Sequence, residues 1–494
     1  MWSFPKLVRS AATVRGVRPL IVGMTITFLV GCGGGGGDTP PPLPPTSFNH
    51  APAFTSASAI AVPENVTGSI YQAAATDADA NPVTFSISGG ADAARFTITP
   101  AGQLSFVASP NFDLPADSDG DNVYQVAIAA SDGQASATLI LSVTVSNSKE
   151  GIATHRVGTG FVNPAAMAPV TDTNVLVAER SGAIYAFNPQ DGSRQLLVQI
   201  TNVGGPGVVA IAAAPDFAAK GKFVAMYATA NGFLVVSEFL RNPAGPTVPN
   251  NFGPLMAVSA PQYPGGGWLG FDSSGNLIIA TADAGGSGDP TGSAQDDSSR
   301  LGKIIRAAPN PDPFAGATAV FYLLSTVAKG VHQPNGGALF AGGLFIPDGG
   351  QTISEEVDLL PANGGTINFG WPFKEGTHVV QGTPPAGVVD PVIEYARASG
   401  TAPQGIIGGA IAGNAVPSLT GQYVFADRSG TIFSAAASAL QNGQTLTLSS
   451  IERRTLDFAP DAGTIDAPVA VVGDAAGRFY ILDADGEIFR VDAG

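Results

Sequence analysis

The chain has 494 residues, with 63 glycines, 39 prolines, 44% hydrophobic and only 13% charged side chains. That suits several cores built from short strands and tight turns, and excludes a protein of long amphipathic helices. The formal charge of −16 repels phosphate backbones and excludes nucleic acid as a partner. Four basic residues, Lys6, Arg9, Arg15 and Arg18, are confined to the extreme N-terminus, so the remainder is more acidic still.

In chain order, that basic start is followed by an apolar run from Leu20 to Gly31, too short to span a bilayer as a stable helix. Leu29-Val30-Gly31-Cys32 resembles a bacterial lipobox, which makes residues 1–31 a lipoprotein signal peptide and Cys32 the acylated residue. The residue after it is Gly33 rather than Asp, which resembles outer-membrane sorting. The expectation is a cell-envelope protein attached to the membrane by a lipid anchor. As Cys32 is the only cysteine, an intramolecular disulfide is excluded. Residues 32–48, rich in glycine and then proline, read as a tether, flexible first and stiffer after.

Residues 49–150 alternate apolar and polar positions in six or seven short runs with turn signals between them, the pattern of a β-sandwich. Pro63-Glu64-Asn65, Asp77-Ala78-Asp79, Asp113 and Ala130-Ser131-Asp132-Gly133 resemble a cadherin-type repeat. The resemblance implies calcium held by Glu64, Asp77, Asp79, Asp113 and Asp132, since hard cations take clustered oxygens. The linker motif of that family is depleted at Ser146 to Glu150, which limits the expectation to one weak site.

Residues 151–494 repeat a unit in which a strand ends in a polar turn and another strand follows directly. The turns fall near 180, 230, 282, 348, 428 and 484, and six such units read as a six-bladed β-propeller. The expected fold class is therefore all-β throughout, a sandwich of cadherin or Ig type followed by a propeller. Val208 to Phe217, Gly266 to Gly286, Ser293 to Arg306, Gln351 to Leu359 and Asn368-Phe369-Gly370-Trp371-Pro372 resemble segments of the soluble PQQ-dependent aldose (glucose/sorbosone) dehydrogenases.

That resemblance implies a sugar oxidation needing a base, a cationic group near the quinone, and calcium. It implies cofactor contacts at Arg180, Asp283, Lys303, His332 and Gln333, and calcium ligands at Gly350, Gln351 and Glu355, after Asp348 and Gly349. Two positions depart from the family. Tyr263-Pro264-Gly265-Gly266-Gly267 stands where the family has His-Asn-Gly-Gly, and Gly330-Val331-His332-Gln333-Pro334 where it has Gly-Leu-Arg-Asn-Pro. Ala214 also replaces a family histidine. Tyr263 and His332 are the remaining catalytic candidates, though an unperturbed phenol is a poor base at neutral pH. Two functions stay open: a binding or adhesion protein with a carbohydrate or protein ligand, its catalytic site degenerate, and a PQQ- and calcium-dependent oxidoreductase acting on aldoses.

Overall fold

The computed structural model describes residues 48–170, 174–241, 248–249, 254–314, 321–397 and 405–494. The expected signal segment, Cys32 and nearly all of the tether lie outside the described residues.

Between residues 53 and 146 a four-stranded and a three-stranded sheet face each other, with a two-stranded pair of Ala53–Phe54 and Ala75–Thr76 beside them. One orders the strands Ala59–Pro63, Ser136–Ser146, Val123–Ser131 and Thr84–Gly89, the first pair parallel and the rest antiparallel. The other orders Ser69–Gln72, Gln103–Phe106 and Phe96–Ile98. Strict alternation decides which side chains go inside: Tyr124, Val126, Ile128 and Ala130 are buried along one strand, Leu141, Val143 and Val145 along its neighbour. They close on Tyr71, Phe96 and Leu104 from the facing sheet. Each such fully buried large apolar side chain contributes about 1.5–3 kcal/mol.

From Ile152 to Ala493 the strands form six sheets of four or five strands in sequence order, and a two-stranded hairpin of Lys374–Glu375 and His378–Val379. The first strands of the six sheets are Pro164–Pro169, Val203–Ala213, Gly267–Phe271, Ala338–Phe340, Ile406–Ile411 and Pro468–Gly473. The sixth sheet takes its outermost strand from the other end of the region, Ile152–Gly158 pairing with Ile488–Ala493. Second strands such as Val175–Glu179, Leu277–Thr281 and Phe479–Asp483 are buried at every position, because another sheet packs on each face. This is why they read VLVAE, LIIAT and FYILD, without alternation. Six apolar seams join consecutive sheets, and the seam of Met167, Val175 and Val177 against Tyr480, Leu482 and Ile488 closes the sixth on the first. All six turns named above link a second strand to a third.

The first strands, with Gly336 and Gly337 just before the fourth of them, line the axis and are rich in Ala and Gly: Ala166, Ala168, Ala210, Ala212, Gly267, Gly270, Gly408, Gly409. Small side chains leave an axial cavity of about 610 Å³.

Candidate functional site

Two guanidinium groups enter that cavity. Arg180 follows the second strand of the first sheet and Arg428 the second strand of the fifth, in the matching turns Glu179-Arg180-Ser181-Gly182 and Asp427-Arg428-Ser429-Gly430. Gly207, at φ +70°, lets the chain pass against Arg180; a Cβ there would lie 1.9 Å from the Arg180 carbonyl oxygen. Arg180 donates one hydrogen bond, from Nη1 to the Pro206 carbonyl at 3.2 Å. Burial and the neighbouring Arg428 pull its pKa below the usual arginine value. Among the described residues neither arginine forms a salt bridge. Two guanidinium groups on the wall of a partly enclosed cavity favour an anion there, against the charges of Glu355 and Asp427, which act on Arg428 through space.

Beside them runs the loop from Gly330 to Asn335. Asp348, at the end of a second strand, accepts from the backbone N–H of His332 at 2.8 Å and of Gln333. His332 N–H and carbonyl thus bridge two sheets, since its carbonyl accepts from the Asp283 N–H at 3.0 Å. The imidazole lies 4.2 Å from the Trp371 ring, and Trp371 Nε1 donates to Asp283 Oδ2 at 2.8 Å. Burial raises the Asp283 pKa, with His332 and the Trp371 hydrogen bond pulling it back. His332 Nδ1 pairs with the Gly349 carbonyl, so Nδ1 carries a hydrogen. Gln333 packs under the glycine turn: a Cβ on Gly266 would lie 2.7 Å from Gln333 Cγ.

Other expected site residues are engaged elsewhere. Tyr263 is buried in the seam between the second and third sheets, its hydroxyl donating to the Gly266 carbonyl at 2.8 Å and accepting from the Ala282 N–H at 2.9 Å. Burial raises its pKa above that of an ordinary phenol, which removes it further from base chemistry. Lys303 is fully buried, and Nζ donates to the carbonyls of Ser293, Ala294 and Leu301 at 2.6, 3.0 and 2.9 Å. All three ammonium donors are then used, which leaves none for a cofactor; burial lowers its pKa to about 8.

The expected calcium loop is likewise filled by protein donors. The Gly350 carbonyl accepts from Arg397 Nη1, and Gln351 Oε1 accepts from Ser287 Oγ and the Gly288 N–H. Glu355 pairs with Arg397 at 2.5 Å and accepts from the Ile406 and Gly350 N–H groups. The strand Ser354–Pro361 explains where the free carboxylates went. Side chains alternate across a strand, so Glu355 faces away from Glu356 and Asp358. Glu356 stands opposite Asp348 in the ladder, and Asp358 opposite Ile346, whose side chain packs in the seam with the third sheet.

Asp348, Glu356 and Asp358 therefore share one buried face, each offering an oxygen within 4.8 Å of the others. Glu356 accepts from the Gly376 N–H at 2.6 Å, but neither oxygen of Asp358 has a partner. Burial drives all three pKa values up, Asp348 to about 6, and the neighbouring carboxylates of the cluster push Glu356 and Asp358 further. Three buried carboxylates without a cation, one of them wholly unpartnered, have the donor chemistry of a hard divalent ion site.

In the sandwich the five expected carboxylates fall into two groups. Asp77 accepts from the Asp79 and Asn81 N–H groups, Asp79 pairs with His50 at 3.1 Å, and Asp132, which accepts from the Gln134 and Ala135 N–H groups, acts on Asp79 through space. Glu64 and Asp113 form the second group: Glu64 accepts from the N–H groups of Phe112 and Ser148, and its charge acts on Asp113. A single site holding all five is not what the fold builds.

Sequence reasoning missed Arg428 and Asp358. The first was available from the internal repeat of Arg-Ser-Gly after an acid, the second from the two-residue spacing of Glu356 and Asp358.

The chain matches the family described as Glucose / Sorbosone dehydrogenase over residues 161–431. Among solved structures it is similar to the PQQ-bound aldose sugar dehydrogenase of Streptomyces coelicolor, at 19% identity over 69% of this chain and 98% of that one, TM-score 0.52. It is also similar to the apo form of the soluble aldose sugar dehydrogenase of Escherichia coli, at 19% identity over 69% and 100%, TM-score 0.52. Likeness at that level speaks to the propeller fold alone. No curated protein matches the sequence.

Proposed function

The chain belongs to the glucose/sorbosone dehydrogenase family, and on that premise we propose that its propeller binds a planar anionic ligand of the PQQ class without oxidising sugars efficiently. The observation that carries this is the pair Arg180 and Arg428 in the axial cavity, without a salt-bridged carboxylate. An anion between them relieves their repulsion, and charge-assisted hydrogen bonds to carboxylates are the strong ones. Calcium fits Asp348, Glu356 and Asp358, with the unpartnered Asp358 oxygens as the supporting feature. When bound, a quinone of this class supplies a two-electron acceptor for hydride.

What this chain's residues lack is the base. Pro264 and Gly265 occupy the family histidine and asparagine positions, and Tyr263 is held in the core. The loss of a general base costs about 10²–10⁴-fold in rate. We read the whole protein as a binding or adhesion module of the cell envelope: a cadherin-like spacer over 49–150, the propeller over 151–494, and a lipid on Cys32. The ligand it meets there is a carbohydrate or a protein surface.

One observation favours the second reading, an aldose oxidoreductase. His332 Nδ1 is tied to the Gly349 carbonyl and its ring stands against Trp371, which leaves Nε2 as the ring nitrogen that a substrate could meet. The two readings separate in one experiment on the full chain: titration with PQQ in calcium, followed by dye-linked oxidation of glucose. Binding of PQQ with oxidation at background, raised by Pro264→His with His332→Arg, supports the first reading. Robust oxidation by the unaltered chain, abolished by His332→Ala, replaces it with the second. The anchor is tested separately, by mass spectrometry for a lipid adduct lost in Cys32→Ser.

A further inference from the structure

Behind the cavity wall, two acids compete with any ligand for Arg428. Glu355 and Asp427 attract its guanidinium through space, and Arg397 repels it. Among the described residues no salt bridge joins Arg428 to either acid. Each acid is engaged instead from the strand Ile393–Ala396 and the residue just after it. Tyr395 stands opposite Glu355 in the ladder, and its hydroxyl donates to Asp427 Oδ2 at 2.8 Å. Arg397, two residues on, donates from Nη1 to Glu355 Oε1 at 2.5 Å and to the Gly350 carbonyl. The spacing Tyr395-Ala396-Arg397 lets one strand reach both acids, because residues i and i+2 leave a strand on the same face. Tyr395 lies in the seam between the fourth and fifth sheets, among Ile406, Phe425 and Phe433.

The remaining oxygens are occupied as well. Glu355 Oε2 accepts from the Ile406 N–H at 3.0 Å and the Gly350 N–H at 3.3 Å, and Asp427 Oδ1 accepts from the Ser429 N–H at 2.9 Å. The Glu355 side chain is 1% exposed, so its charge cannot be screened by water, whereas Arg397 at 28% reaches it from the solvent side. A buried carboxylate left without its partner beside a guanidinium pairs with that guanidinium, and charge-assisted pairs of this kind are the strong ones. Arg428 would then be spent on the protein. Neither Glu355 nor Arg397 lines the cavity.

We propose that Arg397 is a positioning residue of the axial anion site: by neutralising Glu355 it keeps the Arg428 guanidinium for the ligand. This role rests on the reading of the cavity as a site for a PQQ-class anion. It adds that affinity there is set by a pair of charges that the ligand does not touch.

Fluorescence titration of PQQ, in calcium, into the full chain tests this with wild type, Arg397→Ala, Glu355→Gln and the double variant, the thermal unfolding of each being recorded alongside. Arg397→Ala releases a buried negative charge near Arg428 and should weaken PQQ about tenfold, a modest Coulombic effect at intermediate dielectric. Glu355→Gln keeps an acceptor for the Ile406 and Gly350 N–H groups but drops the charge, and should tighten PQQ about threefold or more. The double variant should return to within about threefold of wild type, because the two effects are coupled. A pair that served stability alone would weaken binding in both single variants, so the opposite signs carry the test. Weaker binding by Glu355→Gln, or wild-type affinity in Arg397→Ala, overturns the role of Arg397 and leaves the PQQ-class reading standing. No PQQ binding by any of the four proteins overturns both. Should Arg397→Ala fail to fold, the nearly isosteric Glu355→Gln decides alone by the sign of its effect.

Discussion

The molecule buries two acidic clusters and treats them differently. In the seam between the third and fourth sheets, Asp348, Glu356 and Asp358 share a face, and among the described residues no cationic side chain is hydrogen-bonded or ion-paired to them. At the sandwich–propeller junction, Asp113, Glu150, Glu452 and Asp457 converge on Arg454. Burial penalises the charged form in both, raising Asp348 to about 6 and Asp113 to about 8. The difference lies in what holds the shape when no ion is bound. The junction has a covalently fixed cation and so keeps its geometry, whereas the propeller cluster depends on backbone N–H donors from His332, Gln333 and Gly376. An arginine supplies directionality and a metal supplies charge, and the two are not equivalent.

The largest expected effect comes from making the junction resemble the propeller cluster. Arg454→Met strands four carboxylates, and removing one partner of a buried charged set costs about 3–5 kcal/mol. Chemical denaturation should show that loss, and Arg454→Lys, which keeps the charge but not the planar fork of donors, should recover only part of it. Full recovery by the lysine would mean that charge alone, and not the directed hydrogen bonds, holds the junction.

Next in size is metal loading of the propeller cluster. An ion at a hundred times its dissociation constant stabilises by about 2.7 kcal/mol, and at a thousand times by about 4.1 kcal/mol. Thermal unfolding in EDTA and in calcium should differ accordingly. Asp358→Asn should shrink that difference, and Glu355→Gln, on the other face of the strand, should leave it. If Glu355→Gln removes the calcium effect instead, the strand-parity argument is wrong.

Smaller again is the effect of the two cavity arginines, which form no salt bridge among the described residues. Arg180→Ala and Arg428→Ala should each weaken binding of a PQQ-class anion by about 10- to 150-fold, the worth of a hydrogen bond to a charged group of about 1.5–3 kcal/mol. Fluorescence titration reads this directly. Because neither arginine holds a buried acid in place, both variants should melt close to wild type, unlike Arg454→Met.

Tyr263→Phe anchors the low end. It removes one donor and one acceptor in a dry seam and should cost about 1 kcal/mol of stability. Sugar turnover, whatever its level, should not change by more than about twofold, far below the 10²-fold that loss of a general base entails. A collapse of turnover with unaltered stability would return Tyr263 to the chemistry.

Much of this architecture is legible in the amino-acid sequence, and for a local reason. The polar turns near 180, 230, 282, 348, 428 and 484 announce six repeats because a turn's backbone conformation is set by its own few residues. Alternation from Tyr124 to Ala130 shows the inward face of the sandwich, and the unbroken VLVAE and FYILD show strands covered on both sides. The losses at Pro264 and His332 are also plain, because they are substitutions within a recognisable segment. What tertiary structure alone decided is the partner of each charged group. Glu355 and Glu356 are neighbours in the chain, yet one faces Arg397 and the other Asp348, and only the packed seams distinguish them. Lys303 reads as a cofactor contact until three carbonyls from its own loop are found around its ammonium. Asp113 and Asp457 are far apart in sequence and meet only because the sandwich docks beside the fifth and sixth sheets. Electrostatic energies depend on separation and burial, and neither is a property of local sequence.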